Sequence, residues 1–249
     1  MFRALQGVAT GLFAGVVGTA AGGLVLLLFR RPSDMVFSLI LGFSGGIMLS
    51  VTAFDLMPEA FGLAGVGWGI AGLILGTILI GVIDLVTPHI HFLSTDRESS
   101  RFAKASLFIG LGIAMHNLPE GIAIGAGLSS SARFGVGLAI LMTLHNMPEG
   151  MAMCAPMCRA AGRSWRMVAM AAAAGVPTGI GALLGVVLGN TSPVLLALSL
   201  GFAAGAMLFV TCDELIPDAQ ELGVGHTGTY GIVAGVVAGI ALSTIMGMH

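Results

Sequence analysis

The chain has 249 residues, of which 9% are charged and 56% hydrophobic, with a mean hydropathy of +1.01. A soluble chain carries roughly 25% charged residues, so a water-exposed globule is excluded. The net charge of -2 contains no basic or acidic run, which removes nucleic acid as a partner and leaves no solvating tail.

Three cysteines make no disulfide framework, and the redox compartment stays unread. Only helices satisfy their own backbone groups over long apolar runs in lipid, whereas barrel strands would show short alternating segments. The fold expected is therefore all-α and polytopic. At roughly 20 residues per crossing, eight helices take about 160 residues. Short connections remain and no soluble domain, so 1–249 reads as a single transmembrane domain.

In chain order, the first span covers about 4–29. MFRALQGVATGLFAG imitates a signal peptide, but the apolar run continues through Phe29 without a cleavage site, which reads as a retained span. The second span, about 35–60, carries Asp55 and Glu59 at its end, and the third covers about 65–87. The connection that follows, 89–101, is the longest and most polar. His89 and His91 offer it a transient metal contact; a solvated loop is the plainer reading. The fourth span, about 103–128, contains HNLPEG from His116, and the fifth, about 132–157, contains HNMPEG from His145. Cys154 and Cys158 lie four apart in the fifth. Soft sulfur ligands of this kind suit Cd²⁺, Zn²⁺ or Cu⁺, although thiols are also ordinary packing groups. The sixth span, about 165–189, contains AAGVPTGIG. The seventh, about 193–220, ends in Asp213, Glu214 and Asp218, and the eighth, about 227–248, is rich in small residues that permit close helix approach.

Positive charge sets the direction. Arg30, Arg31, Arg97, Arg101, Lys104, Arg159, Arg163 and Arg166 lie at odd-to-even connections, against Arg3 and Arg133 on the other side. By the positive-inside rule the former are cytoplasmic. Both termini are then extracytoplasmic, and the compact loops favour a bacterial inner (plasma) membrane.

Segment 42–60, GFSGGIMLSVTAFDLMPEA, aligns without gaps on 201–219, GFAAGAMLFVTCDELIPDA, with 10 of 19 positions identical. The copies fall in spans 2 and 7, which run in opposite directions, so spans 1–3 are expected to mirror spans 6–8 around a central span 4/span 5 pair. Inverted repeats of this kind are a transporter signature.

Each central span carries His, Asn and Glu near its middle, where titratable groups cost several kcal/mol on insertion scales. His116 and Glu120, and likewise His145 and Glu149, are four apart and share a helix face. Two such faces offer two imidazoles and two carboxylates, a set that suits Zn²⁺ and tolerates Fe²⁺, Mn²⁺ or Cd²⁺. A buried His–Glu pair that merely cross-links two helices is the bland alternative, and the duplication of the hexapeptide argues against it. Pro119 and Pro148 lack an N–H, which frees the carbonyls of Met115 and Leu144. Asp55 and Glu59 mark one mouth of a pathway, the entrance, while Asp213, Glu214 and Asp218 mark the exit. Ordinary interfacial carboxylates are the alternative for Glu59 and Asp218.

On the paired H-N-x-P-E-G motifs, the acidic ends of spans 2 and 7, the eight spans and the outward termini, the chain strongly resembles the ZIP (Zrt/Irt-like) family of divalent metal transporters, especially its bacterial members. The resemblance implies a binuclear midplane site, with His116, Glu120, His145 and Glu149 around one ion and Asn117 and Asn146 sharing the glutamates around a second. It also implies transport into the cytoplasm, with zinc the commonest substrate. Two departures stand out. Val176 precedes Pro177 where binuclear relatives have Glu, so the second site is expected to be weak or absent. Asp213 stands where some relatives have His, which favours oxygen coordination at the exit.

The resulting expectation is a secondary transporter, not an enzyme, working by alternating access. The metal is its substrate and no prosthetic group is implied. Its partners are divalent metal ions and the lipid bilayer, with a homodimer left open. No P-loop is present, so ATP is not the expected drive. The competing class is an intramembrane metalloenzyme, a metal-dependent hydrolase or diiron-type oxidase, although no H-E-x-x-H occurs and the ligand motifs are symmetric. A structural or metal-sensing membrane protein, which binds without translocating, is the third.

Overall fold

The structure, a computed structural model, describes residues 2–29, 33–86, 98–161 and 163–248. Among these residues it is all-helical, with eight helices: α1 (Arg3–Leu28), α2 (Asp34–Ala64), α3 (Val66–Val86), α4 (Glu98–Ser130), α5 (Ala132–Ala161), α6 (Trp165–Gly189), α7 (Pro193–Leu222) and α8 (Thr227–Met246). The start of α4 at Glu98 takes in residues expected in the polar connection. His89 and His91 lie outside the described residues.

Local chemistry explains the ends. Ser33, Ser131 and Ser192 accept from the backbone N–H three residues on, capping α2, α5 and α7. Pro193 opens α7, where its missing N–H is no loss. Gly65, at φ +88°, turns the chain from α2 to α3 in one residue, a conformation that a Cβ would strain.

Three helices contain a π-helical turn: Phe13–Val17 in α1, Val51–Leu56 in α2 and Thr211–Leu215 in α7. The last two fall on the repeated segments, with Thr52 and Thr211 at matching positions, both buried and with no hydrogen-bond partner for their hydroxyls among the described residues. A π turn widens the helix by one residue per turn and frees local backbone groups, which is why such turns gather at functional sites.

Six helices, α1, α2, α3, α6, α7 and α8, are long and apolar enough to cross a membrane, which makes the chain a polytopic membrane protein. The most apolar stretches of α3 and α8 are only 22% buried, against 67% in α2 and α7, so α3 and α8 present most of their side chains outward. α4 and α5 carry the polar motifs and lie inside the bundle: in α4 every residue from Pro119 to Gly127 is buried.

The packing comes in matched pairs. α4 lies on α6 as α1 lies on α5; α2 lies on α8 as α7 lies on α3; α4 and α5 pack on each other. The glycine closing each motif makes the first match possible. A Cβ at Gly121 would run into the Thr178 carbonyl of α6, and one at Gly150 into the Thr19 carbonyl of α1. Backbones that approach this closely gain dispersion contact in a setting where lipid supplies no hydrophobic drive between helices.

Candidate metal site

The two central motifs meet in the interior. Glu120, His145 and Glu149 are each fully buried or nearly so, and a ligand atom of each lies within 4.8 Å of the others. Three of the four expected ligands therefore share one point. His116, 6% exposed, joins through Glu149: its Nε2 lies 2.9 Å from Glu149 Oε1.

His145 is held from behind by a residue the motifs do not contain. Ser44 of α2 donates its hydroxyl to the His145 carbonyl at 3.2 Å, and the same oxygen lies 2.6 Å from His145 Nδ1. With its own proton directed at the carbonyl, Ser44 Oγ accepts from Nδ1–H. The Ser44 carbonyl, 3.4 Å from Nδ1, can likewise only accept. The network thus puts a proton on Nδ1, so that in the neutral imidazole, the form that binds a metal, the lone pair is on Nε2.

That lone pair faces Glu120 Oε1 at 3.2 Å and Glu149 Oε1 at 2.9 Å. None of these contacts to Nε2 has hydrogen-bond geometry, and neither oxygen of Glu120 nor Oε2 of Glu149 has a hydrogen-bond partner among the described residues. A lone pair and two carboxylates this close repel one another, and burying them without compensation is strongly unfavourable. A shared cation removes both penalties. Nitrogen and oxygen donors around one buried point fit Zn²⁺, and the hydrogen bond behind the imidazole is the usual second layer of such a site.

The asparagines are anchored outward from the centre. Asn117 donates to the Ala174 carbonyl of α6 at 2.8 Å and Asn146 to the Ala14 carbonyl of α1 at 3.4 Å. Each is buried, and each side-chain oxygen has no hydrogen-bond partner among the described residues. Each motif thus holds one buried acceptor oxygen on the residue that follows its histidine. Val176 is 41% exposed at the break in α6 and adds no donor.

The acidic ends lie at opposite ends of the bundle. At the C-terminal end of α2, buried Asp55 accepts from Ser243 of α8 and half-buried Glu59 from Ser130 at the end of α4. At the other end, Ser38 near the start of α2 donates to the Ala219 carbonyl near the end of α7 at 2.6 Å. Asp213, Glu214 and Asp218 belong to that end and are exposed. Glu214 is close enough to His116 and Glu149 for a Coulombic interaction, and it also feels Asp84 of α3. Of the three exposed carboxylates, Glu214 is the one within electrostatic range of the central site.

Ser44 and Asp84 were not among the expected site residues. Asp84 had a signal, a lone carboxylate in an apolar span. Ser44 had a weaker one: it is a mismatch within the repeat, where the second copy has Ala203.

Comparison with known proteins shows what the chain is similar to. The family described as ZIP Zinc transporter matches residues 93–247. Relatives named zinc transporter ZupT include one from Escherichia fergusonii, 32% identical over 243 residues that cover 93% of each chain. Another, from Salmonella heidelberg, is 32% identical over 252 residues, covering 96% of this chain and 93% of the relative.

Proposed function

The chain belongs to the ZIP zinc transporter family, whose members are transporters and not enzymes, and from that premise we propose that it carries Zn²⁺ through the membrane into the cytoplasm by alternating access at the buried His/Glu cluster. The observation that carries this reading is the convergence of the His145 lone pair and the Glu120 and Glu149 carboxylates on one enclosed point. Glu120, His145 and Glu149 take the ion first, His116 completes the set through Glu149, and the free oxygens of Asn117 and Asn146 line a weaker neighbouring position. The N/O donor set also admits Cd²⁺, Fe²⁺ and Mn²⁺.

Residues 1–249 act as one transmembrane unit with eight crossings, spans 1–3 mirroring spans 6–8. The matched helix pairings, the two π-helical turns on the repeated segments and the antiparallel run of α2 and α7 support this reading. Halves related in this way exchange conformations, and that exchange opens the central site to one side and then the other. Asp55 and Glu59 attract cations at the outer mouth, and Asp213, Glu214 and Asp218, joined by Asp84, receive them at the inner one. The excess of Arg and Lys at odd-to-even connections places both termini outside a bacterial inner membrane.

The test is uptake of radioactive zinc by proteoliposomes containing purified protein, with Glu120→Gln/Glu149→Gln as the paired variant. Saturable uptake that the double substitution abolishes is the expected result. Bound zinc with no flux into sealed vesicles would instead make the chain a sensor or structural protein. Undiminished flux in the folded double variant would remove the cluster from the pathway.

A further inference from the structure

A second gathering of metal-seeking side chains lies beyond the His/Glu cluster, at the end of α5. Cys154 and Cys158 are four residues apart and share one helix face. α6 brings Met167 against that face: the Cys158 thiol donates to Met167 Sδ at 3.2 Å, and the Cys154 thiol to the Met167 carbonyl at 3.4 Å. Cys154 and Met167 are fully buried and Cys158 is half-buried. Arg163, in the turn between α5 and α6, donates to the Leu27 carbonyl of α1 at 3.4 Å and lies within electrostatic reach of Cys158.

We propose that Cys154, Cys158 and Met167 form a binding site for a soft monovalent cation of the Cu⁺ type, separate from the His/Glu cluster. Two thiolates and a thioether are the donors that select Cu⁺ over the harder divalent ions. Structural Zn²⁺ sites take four N, S or charged O ligands. The one group of three or more His, Cys, Asp or Glu donors among the described residues is Glu120, His145 and Glu149, which leaves the sulfur cluster without the histidine or carboxylate that Zn²⁺ would need. Methionine is flexible enough to close on the ion without moving the backbone.

Binding replaces two S–H bonds with two S–metal bonds and releases two protons to solvent, with no change in oxidation state. Two thiolates around a monovalent ion leave one net negative charge, which the Arg163 guanidinium offsets. Cys154 lies five residues beyond Glu149, roughly 7.5 Å along the helix axis. The two sites therefore share α5 but not their donors, and the sulfur site does not depend on the zinc reading.

The experiment uses the full chain in detergent, with Cys212→Ser removing the exposed third thiol and Ag⁺ as a redox-inert probe in chloride-free buffer. One Ag⁺ per chain is expected, with only sulfur in its first shell by X-ray absorption, and it is retained in Glu120→Gln/Glu149→Gln. Cys158→Ser should lower Ag⁺ affinity about a hundredfold and Met167→Leu about tenfold, while both variants still bind Zn²⁺, which shows them folded. Unchanged Ag⁺ affinity in these variants, nitrogen or oxygen in the first shell, or loss of Ag⁺ from the glutamate variant would each overturn the proposal. Should Cys158→Ser lose Zn²⁺ together with Ag⁺, Met167→Leu decides: undiminished Ag⁺ affinity in that variant rejects the site.

Discussion

The H-N-x-P-E-G copy on α4 and the copy on α5 start from nearly the same residues and acquire different surroundings. His145 is completely enclosed, is fixed through Nδ1 by Ser44, and points its Nε2 at two carboxylates. His116 keeps a 6% opening, makes one bond to Glu149, and feels Glu214 from the exposed acidic end. Glu149 touches both histidines, whereas Glu120 meets only His145. On the proposed function, we infer that the motif on α5 holds the ion more tightly and that the motif on α4 is the half in electrostatic range of the acidic end of α7. Among the described residues, the hydroxyl that α2 places behind His145 is the clearest difference between the two copies.

Substitutions test this asymmetry. The largest effect is expected for Glu149→Gln, which removes the carboxylate common to both histidines. Zinc affinity measured by calorimetry should fall by more than about a hundredfold, beyond the 10–100-fold typical of outer-layer changes, and Glu120→Gln should cost less. Equal losses would restore symmetry between the copies.

Ser44→Ala comes next. Without the hydroxyl, the Nδ1 proton and the ring orientation are no longer fixed, so affinity should drop about 10–100-fold, with substantial recovery in Ser44→Thr. An unaltered protein would reject the assignment of the lone pair to Nε2.

His116→Ala should be milder, about tenfold in affinity, or about 1.4 kcal/mol, with a larger share of the defect appearing in flux than in equilibrium binding. If His116→Ala matched His145→Ala in binding, the division into a tighter half and a half in range of the acidic end would fail.

The smallest effect is expected at the mouth. Glu59→Gln should leave zinc affinity in detergent unchanged and lower uptake severalfold at low zinc and low salt, with the difference fading as salt screens the attraction. A salt-independent defect would point to a structural role for the Glu59–Ser130 bond.

Much of this was legible in the residues. Eight apolar segments, read with errors of a few residues, correspond to the eight helices; the largest discrepancy is at Glu98, where polar residues continue a helix that apolarity alone would start later. The H-N-x-P-E-G pair marked the central cluster because an acid and an imidazole four apart in an apolar helix leave little other use. Ser44 was not legible, since one serine among the glycines of 42–46 looks like helix packing until α5 is placed beside it. The acidic residues of α7 were legible as a group, but the reach of Glu214 to His116 was not, because the two lie on different helices far apart in the chain.

Length, hydropathy and helical spacing by themselves determined that this protein is a bundle of apolar helices with a few polar donors at known heights, since in lipid each helix must satisfy its backbone within its own segment. Which donors meet was decided by the tertiary structure alone. Glycine-mediated contact of α4 with α6 and of α1 with α5 turns the two motifs toward each other, and α2 brings a hydroxyl to one of them. Those contacts depend on helices distant in sequence, and the spacing of residues within any single helix contains no record of them.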